Sequence, residues 1–317
     1  MFFSNSVVFF SYSYECNASC EKCLNRYHLL RNVKISQEVC CRFLDLLKRF
    51  NYDGTIEFGS GESLIVPGFV EFVQKVLQVA PRSNVKILSN GKCFNKYLSR
   101  ALLDDPRVSW GITFDGFFNE DLIGLQKGID IEKVKQSFRD FEVLPKNIYI
   151  NYTLTSKSVR SLCDFLTFCK EIKIPKFYIT PVKIFTETQK ISWARVDFDS
   201  SGVRKELLRA KDLVRALGLN GDIPIFKAKK RRSMCWCQGR ANPVIDLDGT
   251  VSFCLGREDV VIGNILDADI VEKWKRKKES LSENLSDGVV WCECCSSRPN
   301  EDGIYPTPRG KFKSVLQ

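Results

Sequence analysis

The chain has 317 residues, enough for one large domain and a smaller one. Its hydrophobic residues, 44%, and its charged residues, 27%, are present in proportions typical of a globular protein. No apolar run approaches the roughly 18 residues needed to cross a bilayer, and the apolar start lacks the basic region and cleavage site of a signal peptide. We therefore predict a cytoplasmic protein without a membrane partner. The single histidine, His28, excludes three-histidine zinc sites and two-histidine iron sites.

Strand-like and helix-like stretches alternate through the first 185 residues. Short runs rich in β-branched and aromatic residues predict strands at 7–13, 55–59, 85–88, 108–114, 148–154 and 176–179. Apolar residues at helical spacing predict helices at 36–50, 67–79, 130–140 and 157–172. Because a crossover helix must join parallel neighbours, these units predict an α/β fold, a partial (β/α)6 TIM-like barrel. Ligands of such sheets bind at the carboxyl ends of the strands.

Cysteines are the next informative feature, since nine of the 14 fall in two groups, at 16–23 and 235–295. In a reducing compartment, such groups indicate metal or cluster ligation more than disulfides. The first group, Cys16, Cys20 and Cys23, has the spacing CxxxCxxC and follows the first predicted strand. Three thiolates hold three corners of a cubane 4Fe–4S cluster and leave the fourth iron open to another ligand. A zinc loop or a chance match is the alternative for this spacing.

The CxxxCxxC spacing resembles that of the radical S-adenosylmethionine (SAM) enzymes. The resemblance implies that SAM binds the open iron. It also implies that one electron from an external donor, such as flavodoxin or ferredoxin, splits SAM into methionine and a 5′-deoxyadenosyl radical. Turns at successive strand ends also resemble the family's SAM-binding turns. They are Ser60-Gly61-Glu62, Ser89-Asn90-Gly91 and Thr113-Phe114-Asp115-Gly116, and Asn151 lies on the next strand.

The same resemblance implies how these turns hold SAM. The carboxylate of Glu62 suits the SAM ammonium group, and Gly61 lets the backbone approach closely. The implied cofactor-binding residues are Ser60, Gly61, Glu62, Asn90, Thr113, Asp115 and Asn151. Lys22 stands where the family usually has an aromatic residue before the third cysteine.

The last third of the chain has a different pattern. Residues 186–234 are predicted to be a linker with one amphipathic helix near 203–217. A hairpin is predicted at Asp248-Gly249, which stand between two strand-like runs. A further helix is predicted to run through Trp274.

Six cysteines accompany this last third, and with the run Gly263-Asn264-Ile265 they resemble the SPASM and shortened twitch auxiliary-cluster domains. The resemblance implies a second, auxiliary 4Fe–4S cluster. Its predicted ligands come from Cys235, Cys237, Cys254, Cys292 and Cys295. Because four ligands suffice, one of Cys235 and Cys237 is predicted to be spare and is a candidate hydrogen-atom donor, and Cys294 is a second spare. A zinc ribbon is the alternative, since four thiolates also suit tetrahedral zinc.

We therefore predict a radical SAM core at 1–185, a linker with a helix at 186–234, and a SPASM/twitch-like domain of hairpin and helix at 235–317. The predicted activity is abstraction of a substrate hydrogen atom, with cross-linking, oxidation or epimerisation as the outcome. SPASM and twitch relatives mostly modify ribosomally made peptides, often with acidic leaders, and the net charge of +10 agrees with an acidic peptide substrate.

Three other functions stay open. The first is dehydrogenation of a small molecule, a carbohydrate or aminoglycoside-type alcohol. The second is RNA modification, which fits the charge but lacks a recognised RNA-binding module, so a nucleic-acid partner is not expected. The third is a non-enzymatic iron–sulfur or zinc regulator. With 15 residues before Cys16, no N-terminal leader-binding domain is expected, so recognition of a peptide would need a separate protein or the 186–234 region.

Overall fold

The computed structural model describes residues 7–23, 33–95, 100–182, 192–221, 223, 242–253 and 261–283. The chain divides into two compact units. The first comprises 1–16, 24–86 and 232–317, and the second comprises 17–23 and 87–231. None of the helices in the described ranges is both long enough and apolar enough to cross a membrane.

Strands and helices alternate along the described residues. The strands are β1 (Val7–Phe10), β2 (Ser19–Cys20), β3 (Thr55–Phe58), β4 (Asn84–Ser89), β5 (Val108–Phe114), β6 (Gln126–Lys127), β7 (Ile148–Leu154), β8 (Lys176–Pro181), β9 (Val244–Ile245), β10 (Thr250–Ser252) and β11 (Val261–Asn264). The α-helices are α1 (Gln37–Arg49), α2 (Phe69–Val79), α3 (Arg100–Leu103), α4 (Ile131–Arg139), α5 (Leu162–Glu171), α6 (Ser201–Leu217) and α7 (Ile270–Glu283). Short 3-10 turns lie at Ser63–Ile65, Asn119–Leu122 and Ser192–Ala194.

Parallel strands are the centre of the first unit. β1 pairs in parallel with β3 on one side and with β9 on the other, where Phe10 lies opposite Ile245. β10 runs antiparallel to β9 after the turn at Asp248-Gly249, and β11 runs antiparallel to β10. The strand order is β11-β10-β9-β1-β3-β4, and the chain passes into the second unit along β4. The predicted hairpin is therefore present, and it extends the sheet beside β1.

Aromatic side chains hold α1 and α2 against this sheet. The ring of Phe10 stacks on Phe43 of α1, with centroids 4.2 Å apart, and on Phe72 of α2, with centroids 5.5 Å apart. Full burial of a side chain of this size contributes about 1.5–3 kcal/mol. The helix α1 begins where predicted because the Ser36 side chain caps it, accepting a hydrogen bond from the Val39 amide.

The second unit contains the parallel strands β5, β7 and β8, with β7 in the middle. Alternate residues of β5 are buried, and Phe114 packs edge-on against Phe138 of α4 and stacks on Phe168 of α5. On β7, Tyr152 stacks on Phe165 of α5, with centroids 4.3 Å apart. The helices therefore cover one face of these strands and leave the other face to more polar residues.

The predicted α/β fold with a parallel sheet, of the partial TIM-barrel type, is confirmed, and a described strand corresponds to each of the six predicted ones. One helix begins later than the predicted position 67, at Phe69, because its N-cap Gly68 is left-handed, with φ of +82°. The helix predicted near 203–217 is α6, which ends at the left-handed Gly218. The predicted domain boundaries at 185 and 234 stay predictions.

Candidate functional site

Backbone pairing holds the cysteine loop in the second unit. Ser19 and Cys20 form β2, which pairs antiparallel with β6 so that Cys20 lies opposite Gln126. The amide of Cys23 donates to the carbonyl oxygen of Cys20 at 3.1 Å, which closes a tight turn. Cys20 and Cys23 are both partly exposed, as is Cys16. The second and third cysteines are therefore held close to each other by the backbone, and both residues are partly exposed.

In the first unit, the turn after β3 packs against the chain just before Cys16. The amide of Glu62 donates to the carbonyl oxygen of Glu15 at 2.8 Å. Gly61 has a φ of +71°, and a Cβ at this position would lie 2.5 Å from the same carbonyl oxygen. Only glycine permits this approach. Glu62 therefore lies on the turn that contacts Glu15, the residue before Cys16. Glu62 is 1% exposed.

A series of hydrogen bonds joins this turn to the β9–β10 hairpin within the first unit. The Ser60 hydroxyl lies 2.9 Å from the Ser11 hydroxyl, which lies 3.3 Å from the hydroxyl of Tyr14. Tyr14 donates to Oδ1 of Asp246 at 2.7 Å. Burial raises the pKa of Tyr14 well above its usual range, and the nearby Asp246 carboxylate adds to the shift. Tyr14 therefore stays a neutral hydrogen-bond donor throughout the physiological pH range.

Tyr14→Phe is expected to lower the free energy of unfolding by about 1–3 kcal/mol, because it removes a donor from a buried carboxylate. Urea denaturation followed by circular dichroism measures this change. Tyr12→Phe is the matched control, since the hydroxyl of Tyr12 makes no hydrogen bond among the described residues while its ring packs on Phe72. The control is expected to change stability by less than about 0.5 kcal/mol. Equal effects of the two substitutions would contradict a stabilising bond to Asp246.

Polar side chains align on one face of the sheet in the second unit. Thr113 of β5 lies opposite Asn151 of β7, which lies opposite Tyr178 of β8. Because alternate residues of a strand share a face, Asp115 and Thr153 continue this face toward the carboxyl ends of their strands. Thr113 and Asn151 are partly exposed, and Tyr178 is exposed. The carboxyl ends of the parallel strands therefore present a polar face to a ligand.

Two of the residues predicted to bind SAM contact the cysteine loop. The Asn90 side chain donates from Nδ2 to Oδ1 of Asn17 at 2.8 Å. The buried carboxylate of Asp115 forms an ion pair with Lys22, whose ammonium group also donates to the Thr153 hydroxyl at 3.1 Å. Strand ends of the second unit therefore restrain the loop through side chains at both of its ends.

Sequence reasoning missed three residues of this region. Thr153 lies two residues after Asn151, so the alternation of a strand could have placed it on the same face. Tyr178 aligns with Asn151 only through the register of β7 and β8, which has no local signal. Lys22 stands out in the sequence because it departs from the family pattern, but no sequence pattern indicates that it pairs with Asp115.

The three loop cysteines suit a cluster as donors. No three His, Cys, Asp or Glu side chains of the described ranges converge on a point that would hold a single metal ion. In a cubane cluster, each cysteine sulfur binds a different iron, so the thiolates surround the cluster and need not meet at one point. Three partly exposed cysteines on one short loop are the donor set that such a cluster needs.

No protein-family model and no curated protein matches the chain. Solved structures do match it. One is SuiB from Streptococcus suis bound to S-adenosylmethionine, with 17% identity and a TM-score of 0.66, covering 85% of this chain and 65% of SuiB. Another is anSMEcpe with bound AdoMet and Cp18Cys peptide, with 18% identity and a TM-score of 0.66, covering 96% of this chain and 93% of that one. SuiB bound to its precursor peptide SuiA matches with 15% identity and a TM-score of 0.64.

The matched structures with bound SAM decide the fold. The chain has the fold of these SAM-bound structures. The resemblance seen in the cysteine spacing is thereby confirmed at the level of the fold. The match spans 65% of the length of SuiB.

The predicted auxiliary ligands are outside the residues that the structure describes; they are Cys235, Cys237, Cys254, Cys292 and Cys295. The hairpin that precedes Cys254 is described, and its strand β10 ends at Ser252. The auxiliary cluster and the assignment of its ligands stay predictions.

Proposed function

We propose that the chain is a radical SAM enzyme that removes a hydrogen atom from a peptide. The observation that carries the proposal is the CxxxCxxC loop after β1 on a radical SAM fold, together with the Gly61-Glu62 turn packed against the residue before Cys16. Cys16, Cys20 and Cys23 would hold a 4Fe–4S cluster, which, once reduced by an external donor, would give one electron to bound SAM and split it into methionine and a 5′-deoxyadenosyl radical.

The protein's own residues bind and orient. The carboxylate of Glu62 is proposed to hold the SAM ammonium group, and such a charge-assisted bond is about twice as strong as a neutral one. Its burial at 1% exposure strengthens the bond, because competing water is excluded. Ser60 and Gly61 position this carboxylate. Thr113 and Asn151 are proposed to contact SAM or substrate from the polar face of the second unit.

A peptide substrate is supported by two observations. SuiB is seen with its precursor peptide SuiA, and anSMEcpe is seen with the Cp18Cys peptide, on the same fold as this chain. The net charge of +10 favours an acidic partner, which agrees with an acidic leader segment. The predicted external electron donor and the auxiliary cluster, held by Cys254, Cys292, Cys295 and one of Cys235 and Cys237, belong to the same proposal.

The proposal is tested with the anaerobically reconstituted protein, SAM and dithionite. Each short peptide encoded beside its gene is produced in deuterated medium and added as the candidate substrate. We expect 5′-deoxyadenosine to form and to carry deuterium, because the radical takes its hydrogen atom from the peptide. Mass spectrometry of the nucleoside and of the peptide measures the transfer.

Two outcomes would overturn the proposal. Deuterium transfer from a deuterated aminoglycoside, and from none of the peptides, would replace the peptide function by alcohol dehydrogenation. Absence of 5′-deoxyadenosine with every substrate, from protein that holds its cluster, would show that the chain does not cleave SAM.

A further inference from the structure

Lys22 lies inside the cysteine loop, between Cys20 and Cys23, and its side chain reaches the ends of two strands of the second unit. The ammonium group pairs with Oδ1 of Asp115, which follows β5, and donates to the Thr153 hydroxyl of β7 at 3.1 Å. The Asp115 side chain is 1% exposed, whereas that of Lys22 is 21% exposed. The carboxylate is therefore nearly excluded from water, and the amine is not.

The rest of the loop has restraints of its own. Asn90 donates to Asn17 at 2.8 Å, and Asn17 donates to the sulfur of Cys93 at 3.3 Å. The amide of Glu21 donates to the carbonyl oxygen of Leu125 at 2.8 Å, continuing the β2–β6 pairing. Beyond Glu21, the Lys22 side chain ties the loop to two strand ends, and the Cys23 amide bonds back to the Cys20 carbonyl oxygen.

We propose that Lys22, Asp115 and Thr153 form a loop anchor that positions Cys20 and Cys23 for the cluster. In this assignment Asp115 is a positioning residue that acts through Lys22 and does not contact SAM, in place of the SAM-binding role that the sequence predicted. The inference rests on the proposed function for the identity of the cluster. The anchor explains why a lysine is suited to position 22, because the buried carboxylate of Asp115 needs a cationic partner.

The loss of Lys22 and the loss of Asp115 are expected to affect the stability of the loop unequally. Lys22→Met leaves the buried Asp115 charge without its ammonium partner, which is the most costly way to break such a pair. Asp115→Asn leaves an amine that is one-fifth exposed and can reach water. The double substitution leaves no unpaired buried charge. The effects are therefore expected to be non-additive, as they are for residues in direct contact.

The experiment uses the reconstituted holoenzyme with Lys22→Met, Asp115→Asn and the double variant. Iron release to a chelator and the change that SAM causes in the electron paramagnetic resonance spectrum of the reduced cluster are measured. Lys22→Met is expected to release iron about tenfold faster, the effect typical of losing a group that orients a metal ligand. The double variant is expected to release iron no faster than Lys22→Met. Asp115→Asn is expected to keep the SAM-induced spectral change.

Lys127→Ala is the matched control. Lys127 is an exposed residue of β6 that lies opposite Ser19 of β2, so its loss removes a nearby positive charge without changing the loop anchor.

Iron release from Lys22→Met at the rate of this control would overturn the anchor. Loss of the SAM-induced change in Asp115→Asn with unchanged iron release would also overturn it, since Asp115 would then bind SAM. Asp115→Asn is isosteric and keeps the test valid if Lys22→Met does not fold. A wild-type protein without any SAM-induced change would contradict the proposed function, while the order of iron release among the variants would still decide the anchor.

Discussion

Replacement of Cys16, Cys20 and Cys23 together by alanine is expected to abolish the formation of 5′-deoxyadenosine. Each thiolate holds a different corner of the proposed cluster, so the loop without them cannot retain it. The reconstituted wild-type chain is expected to hold about eight iron atoms in two 4Fe–4S clusters, and the triple variant about four, because the predicted auxiliary ligands are untouched. Iron assay and chromatography of the SAM products measure both quantities.

The matched control replaces three cysteines outside the loop, Cys40, Cys41 and Cys163, by alanine. Cys41 is exposed and the other two are partly exposed. Burial raises the pKa of Cys40 to about 11, which disfavours its thiolate and therefore iron binding. This control is expected to keep its full iron content and SAM cleavage. SAM cleavage by the loop variant, or about four iron atoms in the wild type, would contradict the two-cluster assignment.

Gly61→Ala is expected to have the second largest effect, on both stability and SAM binding. The new Cβ would lie 2.5 Å from the Glu15 carbonyl oxygen and 2.7 Å from the Ser13 carbonyl oxygen, and both are backbone atoms that cannot rotate away. Overpacking and the positive φ together are expected to cost about 3 kcal/mol of unfolding free energy. The turn must move away from Glu15, so Glu62 is displaced and SAM affinity is expected to fall about tenfold or more.

Gly218→Ala separates the close approach from the backbone conformation. Gly218 also has a left-handed φ, of +62°, but a Cβ there would meet no atom within 4 Å. This control is expected to cost about 1 kcal/mol from φ alone and to leave SAM binding unchanged. Urea denaturation and equilibrium dialysis with labelled SAM measure the two properties. If the two glycine variants behaved alike in both, the contact of the turn with Glu15 would have no role in binding.

Local signals predicted the elements well because each depends on neighbouring residues. The strand bounds of β5 and β7 match the predicted 108–114 and 148–154, since their residues favour extended backbone and alternate between two faces. The hairpin at Asp248-Gly249 forms as predicted because Gly249, with φ of +82°, supplies the conformation that the turn requires.

Contacts between distant residues could not be predicted in the same way. The pairing of β9 with β1 joins segments that are more than 200 residues apart, and the register of two strands has no signal in either one alone. Asn90 and Asp115 show why this matters for a site: motif resemblance placed them at strand ends, and packing then brought them to Asn17 and Lys22.

The sequence by itself determined the parallel α/β fold and the cysteine loop at a strand end, because the periodicity of apolar residues and the spacing of thiols are properties of short segments. Only the tertiary structure decided that the Gly61 turn contacts Glu15 and that Asp115 pairs with Lys22, 93 residues away. Such pairs form because folding buries a carboxylate whose desolvation must be offset by a charged partner. Which cation then lies within reach depends on how the strands are arranged.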